Sequence, residues 1–305
     1  MVRPSLAPAT RFDVIIVGAG PAGLSAALVL GRSRRNVLLF DDGGPRNLAA
    51  RRVHGFFTRE DATPSELREL GLAQLRPYPV VFVERHITSA RIEEGSFVVR
   101  ADGDAWCARK LLLATGMRDF EPEIPGLREL VGRGVHHCPY CDGWENRDRR
   151  LGCIGPREDG PEGALGLLTW SHDVSLFTQG TVIEPAVHAR LERHGVRIYE
   201  ARIRALEPDG EGLRAVHLES GERVLLDALF VHAGQEQRSP LIEGFGCELA
   251  PNQAARTEHR QRTRTPGLYI AGDAAVSVQS VAVAAAEGYI AAVTINRELR
   301  QEQFP

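Results

Sequence analysis

The stretch "RFDVIIVGAGPAGLSAALVLGRSRRNVLLFDD", Arg11 to Asp42, constrains this chain more than any other. "FDVIIV" is a short apolar run rich in β-branched residues and reads as a buried strand. Gly18, Gly20 and Gly23 follow in the order G-x-G-x-x-G, with Pro21 and Ala22 inside the pattern. Alanine and leucine then recur at helical spacing up to about Gly31, and "NVLLF" is a second buried strand that ends at Asp41 and Asp42. Each glycine has a task. Gly18 permits the tight turn, Gly20 lets the backbone approach a pyrophosphate, and Gly23 lets helix and strand pack closely. The pyrophosphate then sits on free N–H groups at the positive end of the helix. An acid about 20 residues on can accept hydrogen bonds from a ribose; Asp41, at the strand end, is preferred over Asp42. The glycines alone could be a turn without a ligand. Strand, turn, helix, strand and acid in this order predict a dinucleotide-binding βαβ unit.

Two later stretches narrow the choice of dinucleotide. "LLLATG", residues 111–116, is an apolar strand ending in small residues, with Thr115 and Gly116 at its tip. "GLYIAGDA", residues 267–274, is another, ending in Gly272 and Asp273. An alanine-rich segment from about Val278 to Leu299 predicts a helix, with Ser280 and Val281 near its start. Asp273 and neighbouring amides can hold a ribityl chain or phosphate. The helix N-terminus can stabilise the negative charge of a reduced flavin.

The chain has five cysteines and a single Cys-x-x-Cys, in "HHCPYCDGWE", residues 136–145. Pro139 suits the first position of a helical turn and would place Cys138 at its N-cap. Amide donors and the helix dipole there lower a thiol pKa and favour the thiolate. Gly143 is expected to end the turn quickly. The spacing lets the two sulfurs close a disulfide with little rearrangement. Cys138, Cys141 and Cys153 with a histidine make four zinc ligands on paper, but no second Cys-x-x-Cys or histidine pair has the usual spacing, so no metal is expected. Cys107, Cys153 and Cys247 lie in apolar or strand-like surroundings and are expected to be inert core residues.

"VGAGPAG", "LLLATG", "CPYCDG" and "GLYIAGDA", in that order and at these intervals, resemble the low-molecular-weight thioredoxin reductases and their relatives. The resemblance spans nearly the whole chain. It implies an α/β fold of two Rossmann-like, three-layer domains. An FAD-binding domain would comprise residues 1–118 and 237–305; an inserted NAD(P)-type domain, 119–236, would carry the redox cysteines. It implies FAD held by Gly18, Gly20, Pro21, Ala22, Gly23, Asp41, Thr115, Gly116, Gly272, Asp273, Ser280 and Val281. Family members place a segment comparable to 46–80 over the FAD, which makes Arg46, Asn47 and His54 further candidates. By the same resemblance, Cys141 faces the flavin, Cys138 exchanges with substrate, and Asp142 shuttles a proton, with His136 and His137 as candidate assistants. A homodimer is also implied.

The second βαβ unit departs from the family pattern. "RRLGCIG" reads as a strand, "GPEGALGLLTWS" as a helix and "DVSLFTQG" as a strand, but the turn runs Gly155-Pro156-Arg157-Glu158-Asp159-Gly160-Pro161. The glycine spacing is lost, and acids stand where a pyrophosphate would approach. After "DVSLF" come Thr178, Gln179 and Gly180 where arginines would hold a 2′-phosphate, and no arginine follows until Arg190. Arg157 could compensate in part. NADPH binding is therefore expected to be lost or feeble. With "CPYCDGWE", this departure resembles the dithiol oxidases that close disulfides in gliotoxin- and holomycin-type metabolites. The reaction implied is oxidation of a small-molecule dithiol with O2 as acceptor. An NADPH-dependent reductase of thioredoxin or a thioredoxin-like protein remains open, as does a ferredoxin-dependent flavin thioredoxin reductase. A non-catalytic flavoprotein or zinc scaffold is the reading from a different class.

Composition sets the remaining expectations. Apolar residues at 43%, charged residues at 25% and a net charge of −3 give no reason to expect nucleic acid or an acidic membrane as partner. Nearly all the cations are arginines, scattered along the chain; Lys110 is the sole lysine. The first residues hold no apolar run of a secretory kind, and the alanine-rich stretch is interrupted by Glu287 and Gly288, too polar to span a bilayer. The expected compartment is the cytoplasm, where a Cys-x-x-Cys is more often catalytic or metal-binding than structural.

Overall fold

In the computed structural model, which describes residues 11–155, 159–276 and 278–305, the first apolar run forms the strand Arg11–Val17. Both of its faces are covered, so it is apolar almost throughout instead of alternating. Val14 and Ile16 face one core with Leu39, Leu112 and two helices. Ile15 and Val17 face a second core with Leu38, Phe40, Leu111 and Leu113. Its sheet runs in the order Val80–Glu84, Val37–Asp41, Arg11–Val17, Asp104–Leu113, Ser96–Ala101, Ser89–Glu93, and Leu268–Ile270 also pairs with Asp104–Leu113. The first four and Leu268–Ile270 pair in parallel; the last two form an antiparallel hairpin on the long strand. Residues 111–113 end this strand, and Ala114–Gly116 lie beyond it.

The helix Pro21–Arg32 follows the glycine turn, and the alanine-rich segment forms the helix Val281–Gln303. The two cross at their small residues. A Cβ on Gly288 would run into the Ala22 carbonyl, so only glycine lets the backbones meet this closely. Ala26, Ala284, Ala291, Ala292 and Ile295 fill the same core.

A second compact unit holds a five-stranded parallel sheet, in the order Arg197–Tyr199, Val174–Phe177, Leu151–Ile154, Ala228–Val231, Val135–His136. Helices Asp159–Leu167 and Pro185–Arg193 belong to it. An antiparallel sheet of Ile203–Asp209, Gly212–Leu218 and Arg223–Leu225 completes it. The fold is thus α/β with two Rossmann-like sheets, the first mixed and the second wholly parallel.

The first unit comprises the described parts of Met1–Leu48, Pro64–Arg118 and Gln235–Pro305; the second comprises Ala49–Thr63 and Asp119–Gly234. The sequence division placed residues 49–63 with the first unit. Here their contacts lie in the second: Arg51 pairs with Glu211, and His54 Nε2 lies 3.8 Å from Glu145 Oε1. No described helix is long and apolar enough to cross a membrane.

Candidate functional site

The glycine cradle lies in the first unit. Gly18 has φ +106°, and a Cβ there would run into the Ala114 carbonyl. A Cβ on Gly23 would run into the Gly18 carbonyl, whereas one on Gly20 would meet nothing within 4 Å. Two glycines therefore close the turn against strand and helix, and the third leaves its outer face open. Gly20 is the N-cap of Pro21–Arg32, with no side chain capping it and no acid in the first turn, so the first N–H groups stay available to an anion. Thr115 Oγ1 is buried and without a partner among the described residues, and Gly116 beside it takes φ +71°. Gly272, at φ +79°, would bring a Cβ to 2.9 Å from Ala22 Cβ. An open N-terminus, an orphaned hydroxyl and a turn that tolerates no side chains fit a dinucleotide.

The candidate contacts divide by what already occupies them. Asp41 Oδ1 accepts from the Ala19 N–H at 3.1 Å, and Oδ2 accepts from Arg68 Nε and Nη2 at 3.1 and 2.7 Å. A ribose would share that carboxylate with Arg68, which no sequence pattern revealed. Asp42 is held by Arg238, at 2.9 Å, and by His86 and the Gly44 N–H. Burial pushes its carboxyl up, but the Arg238 charge and these bonds bring it below the ordinary value. Arg46 Nη1 lies 3.0 Å from Asp273 Oδ2 and also bonds Gln279, so Arg46 and Asp273 belong to one cluster. Asn47 is half-buried on the same 3-10 turn. Ser280 caps the C-terminal helix, its Oγ accepting from the Val283 N–H at 3.2 Å, and Val281 is the first helical residue. His54 lies in the second unit, where its Nδ1 bonds Glu60 at 2.9 Å.

The cysteine turn lies in the second unit. Cys138 and Cys141 form a disulfide, their Cα atoms 5.2 Å apart, inside the span such bonds need. Pro139 opens the short helix Pro139–Asp142, and Cys138 is its N-cap. Gly143 takes φ −68°, so it is not a left-handed stop. Space decides instead: a Cβ would lie 2.7 Å from two Trp170 ring atoms. Tyr140 packs edge-on against the same indole, centroids 5.4 Å apart.

Next to the cysteines in the chain, His136 Nδ1 lies 3.2 Å from Asp142 Oδ1. His137 Nδ1 lies 3.2 Å from the Val231 carbonyl, which can only accept, so that nitrogen carries the proton. Burial, helped by the neighbouring His137, pushes His232 below the ordinary histidine value, against a weaker pull from Asp159. Asn146, buried, donates to the Asp142 carbonyl at 2.8 Å. Tyr140 and Trp144 stand exposed, the latter under the Arg147 guanidinium at 4.1 Å. Sequence reasoning singled out neither Asn146 nor these aromatics; the four-residue spacing of Tyr140 and Trp144 about Cys141 was the available signal.

The other cysteines separate. Cys153 is fully buried, and desolvation pushes its thiol up to about 12. Cys107 and Cys247 are only half-buried, not core residues as expected: Cys107 sits near the exposed start of the strand Asp104–Leu113, and Cys247 packs against the edge of the second core. Among the described residues no group of three or more His, Cys, Asp or Glu is arranged to hold a metal.

In the second cradle, Pro156–Glu158 lie outside the described residues, and with them the expectations for Arg157 and Glu158. Gly155 and Gly160 still touch: a Cβ on Gly155 would lie 2.8 Å from Gly160 Cα. Asp159 and Glu162 occupy the first turn of the helix. Arg190 donates to Glu162 at 2.6 Å. Gln179, at φ +56°, turns its Oε1 onto the Ile203 N–H at 3.2 Å. Arg202 reaches the strand end, its Nε 3.5 Å from the position of a Gly180 Cβ. The sequence reading missed this cation because it arrives from the connection after the strand Arg197–Tyr199.

A family model described as pyridine nucleotide-disulphide oxidoreductase matches residues 12–288. The chain is 30% identical to a probable thioredoxin reductase of Arthroderma benhamiae, over 99% of this chain and 83% of that one. Among solved structures it is similar to the putative thioredoxin reductase TrxB of Bacillus anthracis, with a TM-score of 0.91 and 34% identity, covering 96% and 100% of the two chains. It is equally similar to HlmI, with a TM-score of 0.91 and 34% identity, covering 96% and 93%. A match of this length, on a chain whose glycine turn leaves room for a dinucleotide and whose cysteines are joined, means that the chain belongs to the pyridine nucleotide-disulphide oxidoreductase family and is an FAD-binding thiol–disulfide oxidoreductase.

Proposed function

We propose that this enzyme oxidises a small-molecule dithiol to its disulfide, with O2 as the final electron acceptor. The observation that carries the reading is the chemistry of the second cradle. Asp159 and Glu162 put negative charge where a pyrophosphate would need the helix N-terminus. Arg190 is engaged by Glu162, and Gln179 turns inward where a 2′-phosphate would need a cation. Such a site favours electrons that enter from a dithiol.

In this reading the first substrate thiolate attacks Cys138 Sγ. The Cys138–Cys141 bond breaks and the electron pair leaves on Cys141 Sγ. The second substrate thiol attacks the mixed disulfide, releasing the oxidised product and the Cys138 thiolate. Asp142, beside the pair, takes and returns the proton. The cradle residues Gly18, Gly20, Thr115, Gly272 and Asp273 would hold FAD, with Arg46 beside Asp273. FAD, when bound, supplies a two-electron acceptor that O2 regenerates, yielding peroxide. The exposed rings of Tyr140 and Trp144 flank the cysteines and offer an apolar surface to a small substrate. The compartment is taken to be the cytoplasm, and the assembly, by family analogy, a homodimer.

Arg202 beside Gly180 favours a second reading, an NADPH-dependent reductase of thioredoxin or a similar protein. The experiment that separates the two is anaerobic. NADPH is added to one sample of holoenzyme and a small dithiol to another, and the flavin absorbance is followed. Bleaching by the dithiol alone is expected; bleaching by micromolar NADPH would reverse the choice.

A further inference from the structure

Asn146 is 6% exposed, and its amide bridges two groups of the cysteine turn. Nδ2 donates to the Asp142 backbone carbonyl at 2.8 Å and lies 3.4 Å from His136 Nε2. A carbonyl only accepts, so the amide edge facing it is the NH2, and that same NH2 faces Nε2. Nε2 is therefore the acceptor. In a neutral imidazole the proton then sits on Nδ1, which is 3.2 Å from Asp142 Oδ1 and donates to it. The His136 side chain is 9% exposed. Its strand pairs with Ala228–Val231 in the register Phe230↔His136, and its ring lies 5.5 Å from the Phe230 ring. Packing thus opposes the ring flip that would exchange the nitrogens. The groups facing this imidazole are Asp142 and Asn146 from the cysteine segment and the uncharged Phe230 from the strand. His137, next in the chain, points its own Nδ1 at Val231.

We propose that Asn146 is a positioning residue that holds His136 in the Nδ1–H tautomer, so that His136 donates to Asp142 Oδ1 and leaves Oδ2 to exchange protons at the cysteines. This rests on the reading of Asp142 as the acid of the site. It also separates two candidates that the sequence left together. Both ring nitrogens of His136 are engaged, so Asp142 moves the proton and His136 aims it. In the first step a substrate thiol gives its proton to Asp142 Oδ2 while its sulfur bonds Cys138 Sγ. The sulfur–sulfur bond breaks, and the electron pair stays on Cys141 as thiolate. Thiol, disulfide and carboxylate become mixed disulfide, thiolate and carboxylic acid, with no other reactant.

The test uses holoenzyme carrying 15N-labelled histidine and reads long-range 1H–15N correlations, with His136 assigned by loss of its signals in His136→Gln. The wild type is expected to show a protonated Nδ1 and a bare Nε2. Asn146→Leu should lose that single-tautomer signature; the near-isosteric Asn146→Asp, which presents an acceptor in place of the NH2, should move a proton onto Nε2. Anaerobic reduction of the cysteine pair by dithiothreitol should slow by about tenfold in Asn146→Leu, with a displaced pH profile. A wild-type His136 protonated on Nε2, or a tautomer unchanged in Asn146→Leu, would overturn the proposal. Should Asn146→Leu fail to fold, the wild-type spectrum and Asn146→Asp still decide. Wild-type reduction rates in Asp142→Asn would remove the proton-transfer role while leaving the tautomer assignment standing, so the two failures are distinguishable.

Discussion

Gly143 and Cys153 show how single positions are set by their neighbours. The face of Gly143 is filled by the Trp170 indole, which also supports Tyr140 on the cysteine turn. Gly143→Ala is therefore expected to overpack this contact and destabilise the fold by about 1–3 kcal/mol. A thermal melt of the oxidised protein at wild-type stability would contradict it. Cys153 has the opposite problem: its thiol is sealed in the core, and burial lifts it to about 12. The thiolate is the reactive form, so iodoacetamide at neutral pH should leave Cys153 unmodified in native protein and label it only after unfolding. Peptide mass spectrometry reads the result, and prompt native labelling would show that the site opens.

The C-terminal helix is the element whose anchoring is easiest to test. Its last turns meet the sole lysine: Lys110 Nζ lies 2.6 Å from Glu302 Oε1 and 3.4 Å from Glu298 Oε2, with its side chain 9% exposed. Arg262 donates to Glu298 at 2.8 Å, Tyr269 bonds it as well, and Arg109 donates to Glu302 at 2.6 Å. Burial pushes both carboxyls up, but these bonds and the cations reverse it, leaving both below the ordinary value of 4.5. A carboxylate depressed by folding stabilises the native state above its unfolded pKa and loses that contribution as pH falls through the folded one. Lys110→Met removes one cation from two glutamates that keep Arg262, Tyr269 and Arg109 and stay partly exposed, so it should cost about 1 kcal/mol at neutral pH. The cost should shrink as the pH falls below 4.5 and through the lower folded values, where both glutamates become protonated. Urea denaturation of wild type and variant across that range checks the sign. A difference that stayed constant would mean the lysine acts by packing alone.

At the scale of the molecule, bound FAD should stabilise the fold it completes, by about 4 kcal/mol at a thousandfold excess over its dissociation constant. Stripping the flavin should lower the melting temperature, and adding FAD back should restore it; an unchanged melt would place the cofactor's binding energy outside the folding equilibrium. Much of this architecture was legible in the chain. "FDVIIV" and "NVLLF" gave their strands because sheets buried on both faces need continuous apolar runs. The glycine turn and the Cys138 N-cap were readable because they depend on residues within a few positions of one another. The hairpin of Ser89–Glu93 and Ser96–Ala101 was not singled out, although residues 96–101 alternate between half-buried and buried. The partnership of Asp41 with Arg68, the arrival of Arg202 at Gly180 and the transfer of residues 49–63 to the second unit had no local signal. The sequence by itself determined the two βαβ units, the flavin-type cradle and the identity of the joined cysteines, since each is a short-range pattern of spacing and side-chain size. Only the tertiary structure decided what those groups touch: which acids are already engaged, which cysteine is sealed, and which nitrogen of His136 faces Asp142. Those outcomes depend on strands and turns far apart in the chain packing at hydrogen-bond distance, and no spacing along one strand of sequence encodes that contact.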